Sequence, residues 1–321
     1  VRTRAARFAG TGALPDNAGG EGRAVNERDT LFEASGVAAQ DVPVGALYVV
    51  ATPIGNAADI TLRALWLLAK MDAIAAEDTR STRPLLARYG IDRPLLAVHE
   101  HNENTAAAQI TARLQQGERI ALVTDAGTPA VSDPGARLVR AVRAAGCRVV
   151  PVPGASCLLA AVAAAGLNGE GFSFVGFPPA AAGARRKWLG ALAARSEACV
   201  LFEAPHRVAE TAQMLAAALD PARRVVVARE LTKKFETVDD VPAADLTELL
   251  ARTPPRGEYV LLIDAAPAAE VPQQIDAGTA RWLEALAAEL PAARAAAVAA
   301  RATGLPRELL YAALTRRSAP V

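Results

Sequence analysis

Three kinds of stretch in this chain carry residues that do chemistry. The first is Glu77-Asp78-Thr79-Arg80-Ser81-Thr82-Arg83, two adjacent carboxylates beside two arginines. A carboxylate in such a place takes a proton from a weakly acidic hydroxyl, and arginine grips phosphate bidentately. A solvated loop held by carboxylate–arginine pairs is the bland alternative. The second is His99-Glu100-His101-Asn102-Glu103-Asn104. Its H-E-H order invites a metal, but no third ligand stands at a diagnostic spacing, so hydrogen bonding to a polar substrate fits better. The third is a set of small-residue turns: Thr52-Pro53-Ile54-Gly55-Asn56, Ala126-Gly127-Thr128-Pro129 and Pro153-Gly154-Ala155-Ser156. Glycine and proline let a ligand approach the backbone, and exposed N–H groups receive anionic groups. One such turn is ordinary punctuation; two on one sheet edge bring ligand binding level with that reading.

These turns need strands to hold them. Residues 120–156 read as a strand at 120–123, a helix and a strand at 147–152. Asp133 is placed to cap the helix, Pro134 fits its first position, and Gly146 ends it. Parallel strands joined by a right-handed crossover put both turns at one sheet edge, where open α/β sheets bind ligands. Residues 47–51 form a first strand whose continuous apolarity buries both faces. The turn after it is not the G-x-G-x-x-G fingerprint, which argues against a nicotinamide cofactor. Helices are predicted over 59–70, 83–89 and 105–116, and strands over 73–76 and 95–98. A Gly-rich break at 168–171 then separates two domains. Beyond it, strands are predicted at 172–177, 199–202, 225–228 and 257–264, with a helix at 184–194, so a mixed sheet is expected. Residues 267–276 read as a linker. Three short helices at 280–290, 291–302 and 306–316 have a helix-turn-helix layout, equally that of a plain helical hairpin.

The expected division is a disordered extension at 1–44, an α/β domain at 45–167, a second α/β domain at 168–266 and a small helical domain at 279–317. Hydrophobic residues make up 52% of the 321 and charged residues 21%, which suits a folded chain. The net charge of +1 does not announce a nucleic-acid binder, although a basic patch can hide in a balanced total. Three cysteines without metal spacing fit reduced thiols in a cytoplasmic protein, and no metal is expected. No apolar run is long enough to span a membrane, and the N-terminus lacks the apolar core of a secretory signal.

The blocks LYVVATPIGNAADITLRAL, AAEDTRST, VHEHNEN, LVTDAGTPAVSDPG, VVPVPGAS, LFEAPHR and ARELTKKFET stand in this order along the chain. Together they closely resemble the bacterial 16S ribosomal RNA cytidine 2′-O-methyltransferases of the tetrapyrrole-methylase superfamily, over about residues 45–264. The tail resembles the small helical domain that follows in that family. The resemblance implies two α/β domains with a cleft between them and S-adenosylmethionine as methyl donor. It also implies transfer to a cytidine ribose in helix 44 of the small ribosomal subunit, and a homodimer. It carries donor contacts onto Pro53, Thr128, Pro129, Val131, Ser132, Ser156, Phe202 and Thr232. The base that takes the hydroxyl proton is open among Glu77, Asp78, His99 and Glu236. Arg80, Arg83, Arg185, Arg186, Lys187, Arg207, Lys233 and Lys234 are candidate phosphate contacts. Two other readings stay in play. One is a tetrapyrrole C-methyltransferase, against which the HEHNEN and EAPHR blocks and the tail speak. The other is a non-catalytic RNA-binding assembly factor, which would not bind the donor.

Overall fold

Five parallel strands form the first sheet: β1 (Ala46–Val50), β2 (Ala73–Ala76), β3 (Leu95–Ala97), β4 (Arg119–Val123) and β5 (Arg148–Val152), in the order β3-β2-β4-β1-β5. The structure is a computed structural model and describes residues 27–168, 171–266 and 275–316. Apolar cores lie on both faces of this sheet, one around Tyr48, Leu67 and Ile74, the other around Leu47, Ile110 and Leu122. Burial on both faces is why these strands read as continuous apolar runs.

The helices of this half are α1 (Glu27–Ala34), α2 (Leu62–Leu68), α3 (Thr79–Arg88), α4 (Glu103–Gln115), α5 (Ala136–Ala144) and α6 (Cys157–Ala165). Three depart from expectation. The expected disorder through residue 44 does not hold from Glu27 on, because α1 and the turn after it bury Phe32 and Val37 against the first core; residues 1–26 lie outside the described residues. α3 begins at Thr79, four residues before the expected start, where Asp78 Oδ1 accepts from Arg80 N at 2.8 Å, so Arg80 rides on the same helix as Arg83 rather than on a loop. α5 begins after Gly135, and Asp133 does not cap it. Its exposed N–H groups are satisfied from another helix. Glu103 Oε1 accepts from Gly135 N at 3.0 Å, Arg137 N at 2.8 Å and Leu138 N at 3.2 Å. That carboxylate at a helix N-terminus leaves Asp133 available for other work.

The second sheet is mixed: β6 (Phe172–Gly176), β7 (Ala198–Glu203), β8 (Arg224–Arg229), β9 (Thr237–Pro242) and β10 (Tyr259–Ile263), in the order β6-β7-β10-β8-β9. Only β6 and β7 run parallel. One face carries α7 (Ala182–Ala193), α8 (Val208–Ala218) and α9 (Leu246–Arg252), which share a core with the sheet around Leu201, Leu215 and Leu261. No element is expected from the sequence at α8, β9 or α9. The other face is covered by α6, with Ile54 from the turn after β1 joining the same apolar cluster. That cluster joins the two sheets, and it sets the turns of the first against the strands of the second.

The tail folds as α10 (Ala277–Glu289), α11 (Ala292–Thr303) and α12 (Arg307–Arg316) around Leu283, Ala296, Ala299 and Leu310. Among the described residues no helix is long and apolar enough to cross a membrane, and no group of His, Cys, Asp and Glu could hold a metal ion.

Candidate active site

β4, β1 and β5 are neighbours, so their three small-residue turns leave the sheet side by side. Backbone bonds join the first two: Thr52 N donates to Gly127 O at 2.9 Å and Gly127 N to Thr52 O at 3.1 Å. Thr128 Oγ1 donates to Ala155 O at 3.2 Å and ties in the third. Just beyond, Ala130 and Ser132 hold φ of 66° and 65°. L residues adopt that region at a cost, and it persists only where the surroundings over-determine it.

A cavity of about 380 Å³ opens between these turns and the second sheet. The first half lines it with Ile54, Glu77 and residues 125–128, 131–133 and 156–157. The second half supplies Phe177 and residues 202–205 and 258–260. Apolar walls and exposed backbone therefore meet a set of carboxylates: Glu77, Asp125, Asp133, Glu203 and Glu258.

These carboxylates are not equivalent. Glu203 is buried and fully engaged, by Arg207 at 2.7 Å, Ala204 N at 2.8 Å and Thr211 Oγ1 at 2.5 Å. Glu77 accepts from Thr124 Oγ1 at 2.7 Å, and Asp125 from Ser81 Oγ at 2.5 Å. Glu258 meets Lys233 Nζ at 3.2 Å. Burial pushes the Asp133 carboxyl up to about 6. The nearby Thr124 hydroxyl opposes this, and the negative charges of Glu77, Asp125 and Glu258 add to it. A carboxylate with that affinity for a proton is a better base than an ordinary one at neutral pH.

The residues singled out from sequence separate into groups. Thr128, Val131, Ser132, Ser156, Phe202 and Glu77 all line the cavity. Pro53 and Pro129 are buried within the turns and shape them. Thr232 lies in a second strained loop, where Glu230 and Thr232 hold φ of 51° and 66°. Thr232 Oγ1 accepts from Asn56 N at 3.1 Å and so joins the two halves. Glu236 accepts from Thr232 N at 2.5 Å and holds that loop. Asp78 caps α3 and pairs with Arg80 at 2.6 Å, which holds its carboxyl well below the usual range, at about 2. His99 is exposed beyond the edge strand β3, its ring 6.1 Å from that of His101. Neither Asp78 nor His99 lines the cavity.

The cations divide too. Arg83, Arg186, Lys187 and Lys234 are exposed, and Lys234 lies over the Phe235 ring at 5.6 Å. A phosphate contact does not fit three of the expected residues. Arg185 is buried and paired with Glu210, Arg207 is spent on Glu203, and Lys233 sits between Glu230 at 2.9 Å and Glu258. Asp125, Phe177, Glu258 and Tyr259 are cavity residues not expected from the sequence, and Asp133 stands in the cavity rather than in the capping role its sequence suggests. The usable signal for Asp125 was its place just after a strand end.

The profile of the tetrapyrrole (corrin/porphyrin) methylases matches residues 46–247, and that of the RsmI C-terminal HTH domain matches residues 273–317. The chain is 47% identical to the ribosomal RNA small subunit methyltransferase I of Pseudomonas aeruginosa, over 83% of this chain and 95% of that one. It is 50% identical to the protein of the same name from Xylella fastidiosa, over 83% of this chain and 98% of that one. Among solved structures, the cobalt precorrin-4 methyltransferase CbiF shares the fold at a TM-score of 0.53 and 20% identity, over 70% of this chain and 98% of that one. The methyltransferase CobJ does so at 0.53 and 23%, over 71% and 97%. With a cavity built on the joint of its two sheets and a tail that matches a helix-turn-helix domain in sequence, the chain belongs to the tetrapyrrole methylase family, in the branch of the ribosomal RNA small subunit methyltransferases I.

Proposed function

We propose that this protein methylates a cytidine ribose 2′-oxygen in helix 44 of 16S ribosomal RNA, using S-adenosylmethionine and acting as a cytoplasmic homodimer. The observation that carries this reading is the cavity itself. Residues of three adjacent turns line one side of it, Ile54, Val131 and Phe202 give it apolar surface, and Glu77, Asp125, Asp133, Glu203 and Glu258 line it with carboxylate. Such a site fits the cofactor, whose flat and apolar parts need walls, whose polar groups need backbone partners, and whose sulfonium is a cation. Bound there, the cofactor supplies an electrophilic methyl group. The charge of its sulfonium sulfur would be dispersed as the methyl left, so a site whose residues exclude water and align the hydroxyl would lower the barrier.

The protein's own part is to orient and to move a proton. A ribose hydroxyl is a very weak acid and reacts once a base takes or shares its proton. Asp133 lines the cavity, is partly shielded from water, and keeps a raised proton affinity. It is the base in this reading; burial raises its proton affinity, and the charges of Glu77 and Asp125 add to that. Exposed Arg83, Arg186, Lys187 and Lys234 are available to RNA phosphates.

The test is direct. Purified protein, methyl-labelled S-adenosylmethionine and small ribosomal subunits are incubated, and the RNA is digested to nucleosides. The expected product is labelled 2′-O-methylcytidine from a helix-44 fragment. Label on a base, or none in RNA, overturns the reading.

A further inference from the structure

We infer that Phe177 is the platform on which the nucleobase of the accepting nucleotide stacks; this rests on the function proposed above. Phe177 follows β6, lines the cavity, and is 48% exposed. A lone exposed phenylalanine is unremarkable on a protein surface. This one is aimed. Pairing between β6 and β7 slips between Phe174 and Gly176, a bulge that redirects the residues after it. Gly176 holds φ of 69°, which the turn requires and other residues resist. Beyond the ring, Pro178 is buried, and its carbonyl accepts from Arg207 Nη1 at 3.3 Å. Arg207 is itself pinned by buried Glu203, so the segment is anchored on both sides of the ring.

The ring also has a fixed neighbour. Phe202 meets Phe177 edge-to-face at 5.6 Å and 67°, and Phe174 at 4.7 Å. Phe202 is buried at the cavity wall, while Phe177 keeps nearly half its surface open. Three aromatic rings in series thus end in one uncovered ring at the cavity mouth.

The reaction needs such a ring. A ribose inside a helix presents its 2′-oxygen to a closed site only after the nucleotide leaves its stack. The displaced base then loses its stacking partners, and aromatic side chains replace them. The cavity, about 380 Å³, is near the lower end of the ~300–1,000 Å³ usual for small-molecule sites. It holds one nucleoside-sized ligand and leaves the second nucleoside at the mouth, beside Phe177. The carboxylates inside repel phosphate, whereas exposed Arg186 and Lys187 stand on α7, which begins five residues after Phe177. Phosphates flanking the extruded nucleotide are therefore met outside the cavity and its base at the ring.

The experiment compares wild type, Phe177→Ala and Phe177→Trp with small ribosomal subunits as substrate. It measures KM and kcat for subunits, calorimetric affinity for S-adenosylmethionine, and Tm. Phe177→Ala is expected to lower kcat/KM for subunits by about 5- to 150-fold, the range of ~1–3 kcal/mol per stacked base. Donor affinity should stay within about twofold and Tm should hold, since the ring is half exposed. Phe177→Trp should recover most of the loss. Unchanged subunit kinetics in Phe177→Ala overturns the inference. So does a fall in donor affinity as large as the fall in turnover, which would place the donor against the ring. A wild-type protein that binds donor but labels no RNA overturns the functional reading instead, and the stacking role with it.

Discussion

The two sheets build the cavity in opposite ways. The parallel sheet contributes from beyond its strands: the turns after β1, β4 and β5 offer backbone, small side chains and Asp133. The mixed sheet contributes from the strand ends themselves, with Phe202 and Glu203 closing β7 and Tyr259 and Val260 opening β10. Turns can follow a ligand's outline, whereas strand residues are fixed by register, Phe202 opposite Val260 and Glu203 opposite Tyr259. In this account the first half grips and deprotonates, while the second walls the site and presents aromatic rings. A loop from the second half, strained at Glu230 and Thr232, reaches back to Asn56 and closes the joint.

The division of labour breaks most sharply at Asp133. Asp133→Asn should lower kcat by roughly 10²–10⁴-fold, the usual worth of a general base, while the fold survives. Wild-type kcat should climb as pH rises through about 6 and then level, and the variant should lose that step. Stability should move the other way. The folded carboxyl binds its proton more tightly than the unfolded one, so its contribution is favourable below about pH 4 and is lost as pH rises through about 6. At neutral pH the variant is freed of that penalty. After discounting for solvent screening it should gain roughly 1 kcal/mol, or about 2–4 °C in Tm by calorimetry.

The next largest effect is at the loop of the second half. Gly257 holds φ of 85°, and a Cβ there would fall on the Glu230 carboxylate. Gly257→Ala should cost roughly 1–3 kcal/mol of stability in denaturant melts. It should also weaken donor binding, because Glu230 then loses Lys233. Thr232→Val removes only the acceptor for Asn56 N. About 0.5–1.5 kcal/mol should be lost, read as a shift in the urea midpoint. The smallest effect belongs to the outer cations. Arg186→Ala with Lys187→Ala should leave donor affinity unchanged and reduce the salt dependence of subunit binding by a slope of about 1–2.

The parallel half was largely legible because its signals are local. β2 spans residues 73–76 as expected, and β1, β4 and β5 lie within a residue of the expected spans, since burial on both faces writes an unbroken apolar run. Asp133 misled for a long-range reason. Its sequence, Ser-Asp-Pro-Gly, looks like a helix start, but Glu103 on α4 satisfies α5 from 32 residues away. Phe32 had the same difficulty in α1, where a mixed local composition hides one residue that docks on the core. β9 was invisible because Thr-Val-Asp-Asp-Val-Pro carries two carboxylates and a proline, which suit only an edge strand. Among the cations, Arg185 and Arg186 are indistinguishable in sequence. Helical phase turns the first inward to Glu210 and the second out to solvent. Phe177 carried no periodic signal, because a bulge and a left-handed glycine decide where its ring points.

Hydrogen–deuterium exchange of the full chain, with and without S-adenosylmethionine, reads where the donor sits. Slowed exchange is expected in residues 125–133 and 155–158, with a smaller change at 230–236 and none in the tail helices. Protection absent from the turns after β4 and β5, or confined to the tail, would contradict that placement.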